Sequence, residues 1–335
     1  MKIAVIKESR TGENRVALSP AVVQQFVKAG FACAVESGAG YKSNFDDEAY
    51  RKAGATVEDK NNLFATADIV TKVNAPTDEE IGQMKSGAAF FSYIYATFNP
   101  DLVKKLASKN ISSFSMDAIP RISRAQNMDA KSSQDNLAGY KSVIMGANAL
   151  GKIFPLLMTS AGTISPSRVV IFGAGVAGLQ AIATAKRLGA IVEVTDVRPE
   201  TKEQVESLGG KFIEVKTEEA VKVEGGYAKE VSAEYLAKQK EAVNKSLALA
   251  DLVITTALVM GKKAPVLITE EQVKMMKLGS VIVDMAVEQG GNCELSELDK
   301  TVVKHGVTII GQSNLPSTLP QNASELYAKN IFNLL

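Results

Sequence analysis

Short apolar runs rich in β-branched residues alternate with stretches of helical spacing along the whole chain, and this alternation predicts strands each followed by a helix. Ile3–Ile6 reads as the first strand. Ser19 as N-cap with Pro20 at the first helical position opens a helix that stops at Gly30, and Phe31–Val35 reads as the next strand. The pattern continues with a helix over Asp47–Ala53, a strand over Asp68–Val73, a Thr77-capped helix through Met84 and a buried strand over Ala88–Tyr95. A helix over Asp101–Ser108 and a strand over Ile111–Met116 complete it. Pro120 halts the regularity. The polar segment Arg121–Tyr140 then leads, through a cap at Asp129 or Ser132, into a long helix expected to run through Met158.

A second alternation begins at Arg168. Arg168–Phe172 is an apolar strand that breaks into Gly173-Ala174-Gly175-Val176-Ala177-Gly178, takes up helical spacing through Leu188 and stops at Gly189. Ile191–Val194 is the next strand, ending at Asp196. There follow a Pro199-initiated helix ending at Gly209-Gly210, a strand over Phe212–Val215, a helix over Ala233–Leu249 and a strand over Leu252–Thr256. A helix from near Thr269 and strands over Val281–Asp284 and Val307–Ile310 come last, and Ala323–Leu335 has helical spacing expected to pack back on the first half. The predicted fold is α/β, two doubly wound parallel-sheet domains joined by long helices. One domain takes residues 1–131 and 316–335, the other 132–315.

The strand–glycine turn–helix unit at Gly173 carries the most specific chemistry. In a G-x-G-x-x-G turn the first glycine makes the tight bend, the second lets backbone approach a pyrophosphate and the third lets helix pack on strand. Gly173, Gly175 and Gly178 occupy those places, and the helix N-terminus beyond them offers unpaired N–H groups to phosphate. Asp196, 18 positions after Gly178, is placed to accept hydrogen bonds from an adenosine ribose, which favours NAD and repels the 2′-phosphate of NADP. Arg198, two residues on, is of the type that accommodates that phosphate and keeps the NADP reading open. This is a Rossmann-like domain. The uncharged window Val169–Ala185 is at the lower edge of membrane-spanning length, but its three glycines and its exit into Lys186-Arg187 make it a poor lipid-facing helix.

Composition narrows the remaining classes. With 38 basic against 37 acidic residues, the net charge of +1 gives no electrostatic reason to expect nucleic acid or an anionic membrane surface. Cys33 and Cys293 are too few for a disulfide framework or a multi-cysteine zinc site and suit a reducing compartment. MKIAVIKESR reads as a strand rather than a signal peptide, because charge interrupts any apolar core, and the expectation is a cytoplasmic protein. His305 is the single histidine and sits in a turn before a late strand, a structural rather than a catalytic setting. The connection Lys216–Ser232 is too long for a simple turn. It reads either as a lid, with Gly225-Gly226 as hinge and Tyr227 as cover, or as a solvated charged loop.

Reduction of a carbonyl or imine by NADH needs a general acid, whereas hydride transfer between two nicotinamides moves no separate proton and needs only positioning and exclusion of water. The chain holds one dinucleotide fingerprint, so an NADP acceptor would sit on another polypeptide.

The run from Gly173 to Phe212, with PRISRAQNMDAKSSQDNLAGY before it and EGGYAKE, Leu252–Leu258 and SVIVDMAVEQGGNCE after it, closely resembles the NAD(H)-binding component of the proton-translocating nicotinamide nucleotide transhydrogenases, over nearly the whole chain. The resemblance implies a homodimer that binds NAD(H), held at the cytoplasmic face of the membrane by partners and with no direct membrane insertion. It further implies Si–Re-type hydride transfer to NADP(H) on a separate NADP-binding component, coupled to proton movement through a membrane-spanning component. The family's Arg-Gln-Asp loop at the nicotinamide matches Arg121, Gln126 and Asp129, with Ser132 following, and its mobile loop matches Gly226, Tyr227 and Ala228. Val176, Val197, Arg198, Thr256, Ala257 and Leu258 join the glycines and Asp196 as implied nucleotide contacts. Met260 departs from the family's frequent proline, which bears on that loop's shape alone. The chain also resembles alanine dehydrogenase, whose carboxylate-holding residues match Arg15 and Lys72. That enzyme's catalytic histidine and aspartate fall at Tyr95 and Glu288. Tyrosine is a poor proton shuttle at neutral pH, so a self-contained alanine-dehydrogenase-like oxidoreductase is the second reading and a non-catalytic NAD-sensing module the third.

Overall fold

A computed structural model describes residues 1–214, 223–224, 227–228, 233–258 and 262–335. The chain divides into two compact units, residues 1–135 with 316–335 and residues 136–315.

The first unit is built on six parallel strands, β1 (Lys2–Val5), β2 (Ala32–Glu36), β3 (Thr56–Glu58), β4 (Ile69–Thr71), β5 (Ala89–Ser92) and β6 (Ser112–Ser115), in the order β3-β2-β1-β4-β5-β6. Helices α1 (Pro20–Lys28), α2 (Asp47–Lys52), α3 (Lys60–Thr66), α4 (Asp78–Gln83) and α5 (Pro100–Ser108) make the crossovers. Both faces of the sheet are buried. Ile3, Val5, Val35 and Ile69 point into one core, while the intervening Ala4, Ile6, Ala34 and Val70 point into another, so the strands read as continuous apolar runs. Local signals stop and start the helices: Thr77 and Glu80 form a reciprocal capping box on α4, and the Asp46 and Asp59 carboxylates accept first-turn N–H groups of α2 and α3. Strand β3 and helix α3 were not expected from the pattern.

Helix α6 (Ala130–Ala149) crosses from one unit to the other. It ends at Ala149, not at Met158 as the apolar spacing suggested, because Gly151 and then Pro155 break it. Leu157–Met158–Thr159 instead forms β7, paired antiparallel with β8 (Gly162–Ile164) in a hairpin.

The second unit contains β9 (Arg168–Phe172), α7 (Val176–Arg187), β10 (Ile191–Thr195), α8 (Lys202–Ser207), β11 (Lys211–Phe212), the short antiparallel pair β12 (Val223–Glu224) and β13 (Tyr227–Ala228), α9 (Ala233–Leu249) and β14 (Leu252–Thr255). It continues with α10 (Glu270–Lys274), β15 (Val281–Asp284), β16 (Lys300–Lys304) and β17 (Val307–Gly311). Its main sheet has the order β11-β10-β9-β14-β15-β17-β16, parallel except for β16, which joins β17 antiparallel at the edge. That edge strand was not expected from the pattern: KTVVK is too short and too mixed to separate from the turn at His305-Gly306. Val169, Ile171 and Ile254 bury into one face, Val170, Phe172 and Val253 into the other. Helix α6 approaches α7 so closely that a Cβ on Gly139 would lie 2.1 Å from the Ala177 carbonyl oxygen.

Helix α11 (Pro320–Leu334) returns to the first unit, where Tyr327, Ala328 and Ile331 enter the core beside Val16 and Val23. Among the described residues no helix is long and apolar enough to cross a membrane, and no group of side chains could hold a metal ion.

Candidate nucleotide-binding site

Parallel strands leave their C-terminal ends aligned, and in the second unit Thr195, Phe172, Thr255 and Asp284 stand side by side there on β10, β9, β14 and β15. The chain leaving β9 must turn at once into α7. Gly173 does so at φ +101°, its N–H donating to the Thr195 carbonyl at 2.8 Å. Gly178 lets the helix close on the turn, since a Cβ there would lie 1.9 Å from the Gly173 oxygen. Gly175 caps the helix without a side-chain bond, and a Cβ on it would meet nothing within 4 Å. That face is open for a ligand, and the α7 first turn beginning at Val176 has N–H groups that an anion can satisfy.

Asp196 follows β10 and lies against the glycine turn. One carboxylate oxygen accepts the Ala174 N–H at 2.7 Å, and the other accepts the Arg198 N–H at 2.8 Å. The Arg198 guanidinium also folds back on it, with Nε and Nη2 each 3.0 Å from a carboxylate oxygen. Burial pushes the Asp196 carboxyl up, but the bonds from Arg198 and Ala174 outweigh it and hold it below the usual carboxylate range. Val197 between them is exposed. Across the turn, the Thr256 hydroxyl lies 3.1 Å from the Phe172 oxygen and 3.3 Å from the Gly173 oxygen; Ala257 is half-buried and Leu258 exposed. The structure therefore gathers the three glycines, Val176, Asp196–Arg198 and Thr256–Leu258 at one sheet edge. Tyr227 and Ala228 form β13, described by backbone alone, and Gly226 and Met260 lie outside the described residues.

The polar loop belongs to the first unit. After Pro120 a 3-10 turn over Ser123–Met128 delivers Asp129, which accepts the Ser132 N–H at 2.9 Å and the Ser132 hydroxyl at 2.6 Å. Of the two cap candidates Asp129 fills the role, and Ser132 is its donor. Arg121 approaches Asp129 and Asp135 at 3.9 Å each. Burial raises the Asp135 carboxyl, against the pull of Lys131 and Arg121. Gln126 is exposed, while Tyr93 pins the helix start by donating its hydroxyl to the Ala130 oxygen at 3.1 Å.

Arg15 and Lys72 are buried in ion pairs of the first unit. Arg15 meets Glu13 at 2.7 Å and donates to Gln134; Lys72 meets Glu80 at 2.8 Å. Tyr95 stands at φ +48° and is exposed, Glu288 accepts the Asn314 N–H, and His305 faces Glu270 at 2.8 Å on the surface. Sequence reasoning passed over two residues at this sheet edge, Asp284 and Asn292. Both are fully buried and polar, and the signal was an aspartate ending an apolar strand and an asparagine after Gly290-Gly291.

Comparison with known proteins places this geometry. Residues 4–138 match the family described as alanine dehydrogenase/PNT, N-terminal domain, and residues 142–335 match its C-terminal domain. The chain is 53% identical over 343 residues to an NAD(P) transhydrogenase subunit alpha chain of Rhodospirillum rubrum, covering 100% of this chain and 89% of that one. It is 32% identical over 332 residues to alanine dehydrogenase of Bacillus subtilis, covering 97% and 82%. A crystal structure of transhydrogenase from Sinorhizobium meliloti superposes with a TM-score of 0.93 at 44% identity, covering 100% of this chain and 92% of that one.

Proposed function

The chain belongs to the alanine dehydrogenase/PNT family, and from that premise we propose that it is the NAD(H)-binding catalytic component of a proton-translocating transhydrogenase. The observation that supports NAD(H) most directly is Asp196 at the mouth of the glycine turn, its carboxylate set by the Ala174 N–H at 2.7 Å beside the open face of Gly175. The choice of reaction rests on 53% identity along the full chain to a transhydrogenase subunit, against 32% to an alanine dehydrogenase.

When bound, NAD(H) supplies or accepts a hydride at its nicotinamide, the other nicotinamide being that of NADP(H) on a partner component. The residues here have positioning roles. The α7 first turn holds the pyrophosphate, Asp196 accepts the ribose hydroxyls, and Thr256–Leu258 lie along the glycine turn. Arg121, Gln126, Asp129 and Ser132 orient the nicotinamide end. Asp129 caps α6 and stands 3.9 Å from Arg121, so the guanidinium lies beside a fixed helix start. Gly226, Tyr227 and Ala228 cover the nucleotide. No proton is transferred in the hydride step, so the site requires no general acid. The chain acts as a homodimer with an NADP-binding component and a membrane-spanning component, at the cytoplasmic face of the membrane.

The keto-acid reading is disfavoured by Arg15 and Lys72, whose charges Glu13 and Glu80 already meet within the core. Mixing the chain with an NADP-binding component should give hydride exchange between nicotinamide nucleotide analogues. Silence with a partner proven competent, or oxidation of NADH by pyruvate and ammonia without any partner, overturns the proposal.

A further inference from the structure

Asp284 ends β15 with a fully buried carboxylate. One of its oxygens accepts the Ala286 N–H and the Thr255 hydroxyl, each at 3.0 Å. The other accepts the Asn292 N–H at 2.9 Å, the Cys293 N–H at 3.0 Å and the Ser296 hydroxyl at 2.6 Å. One side chain thus ties both ends of the segment that leaves the strand and doubles back. The wrap is tight: a Cβ on Gly291, at φ +81°, would lie 2.9 Å from that second oxygen.

Asn292 leaves this wrap with its side chain directed at Ala257. Its Oδ1 accepts the Ala257 N–H at 3.0 Å, and its Nδ2 donates to the Ala257 oxygen at 2.9 Å and the Pro265 oxygen at 2.8 Å. Ala257 stands just past the end of β14, where the strand ladder has stopped. A primary carboxamide carries a donor and an acceptor in one plane, so it can serve both the N–H and the C=O of one residue as a neighbouring strand would. A carboxylate would set lone pairs against two carbonyls, and an aliphatic side chain would take their partner from three half-buried backbone groups. Thr256, adjacent to Ala257, lies against the Gly173 oxygen, so polar contacts run without a gap from Asp284 through Asn292 to the glycine turn.

We propose that Asn292 is a positioning residue for the dinucleotide site: its carboxamide fixes the Thr256–Leu258 loop against the glycine turn, and Asp284 fixes the carboxamide. The inference rests on the reading of this sheet edge as the NAD(H) site. Neither residue touches the reacting atoms.

NADH titrations and thermal midpoints of the wild-type chain, Asn292→Ala, Asn292→Asp and Ser167→Ala test it. Ser167 is buried ahead of β9, at the opposite end of the strand from the glycine turn, and its hydroxyl donates to the Ile153 oxygen at 2.7 Å, so Ser167→Ala reports stability alone. The two Asn292 variants should bind NADH about tenfold more weakly, and Ser167→Ala should lower the midpoint with affinity within about twofold of wild type. Equal affinity losses in all three variants, or none in the Asn292 pair, overturn the proposal while leaving the NAD(H) reading intact. If the Asn292 variants do not fold, amide exchange of the wild type decides: protection of the Ala257 N–H should rise on adding NADH, and an unchanged rate overturns the proposal. A wild-type chain that binds no NADH overturns the site reading and this inference together.

Discussion

Arg198 folds back on Asp196, its Nε and Nη2 each 3.0 Å from a carboxylate oxygen. The acid that would select NAD by its ribose hydroxyls therefore also neutralises the cation that would welcome a 2′-phosphate. Asp196→Ala should weaken NADH binding by about 1.5–3 kcal/mol, the range for hydrogen bonds to a charged group, and should narrow the preference over NADPH by releasing Arg198. Fluorescence titration with both nucleotides measures the pair of effects, and an unchanged ratio of affinities would argue against the coupling.

Gln126→Asn tests the positioning role proposed for the polar loop. The side chain is exposed on the 3-10 turn that leads to Asp129, so shortening it leaves the fold alone. NADH affinity should hold within about twofold while hydride exchange with a partner component falls by about a hundredfold, the loss expected of a misplacement of about 1 Å. Equal losses in binding and rate would sink that assignment.

Gly139 has no room for a methyl group, because the Ala177 carbonyl oxygen would stand 2.1 Å from it. Alanine gains helix propensity of about 1 kcal/mol, yet the overpacking moves the first turn of α7 and costs about 1–3 kcal/mol. Gly139→Ala should therefore be no more stable than wild type by thermal melting, and its NADH affinity should drop because the displaced turn begins at Val176.

Glu13 gives a pH signature. Burial raises its carboxyl, but hydrogen bonds and charge from Arg15 prevail and bring it down to about 2 from an ordinary 4.5. A depressed carboxylate contributes stability that is fully present above about 4.5 and is lost as pH falls toward about 2. Removing the charge takes the carboxylate away from the buried Arg15 guanidinium, so Glu13→Gln should lose about 3–5 kcal/mol at neutral pH. The variant should also show a shallower fall in stability across that acid window, measured by denaturant titration at successive pH values.

Much of the fold was legible because its signals are local and strong. The caps at Thr77 and Thr269, the helix Ala233–Leu249 and the strand Val281–Asp284 stand where spacing and capping residues put them. What escaped was short or misleading. Thr56–Glu58 is too brief to show a period, and α3, with KNNLFAT, buries only Leu63 and Phe64. Leu157 and Met158 continue the apolar spacing of α6, yet Gly151 and Pro155 had already ended it, and both side chains are exposed on a hairpin. The glycine turn and Asp196 could be read because each residue type answers one steric or electrostatic demand. Asn292 could not, since its partner Ala257 lies 35 residues away and meets it through a return of the chain that no spacing reveals.

The antiparallel strand Lys300–Lys304 gives the second sheet its outer rim. Lys300 and Lys304 both reach Glu297, at 2.8 and 3.4 Å. A sheet edge is a row of amide donors and acceptors that invites another molecule's backbone, and the reversed strand is still such an edge. Its two tethered ammonium groups set charge along that margin, so crowding at high concentration should not pair this edge with that of another copy.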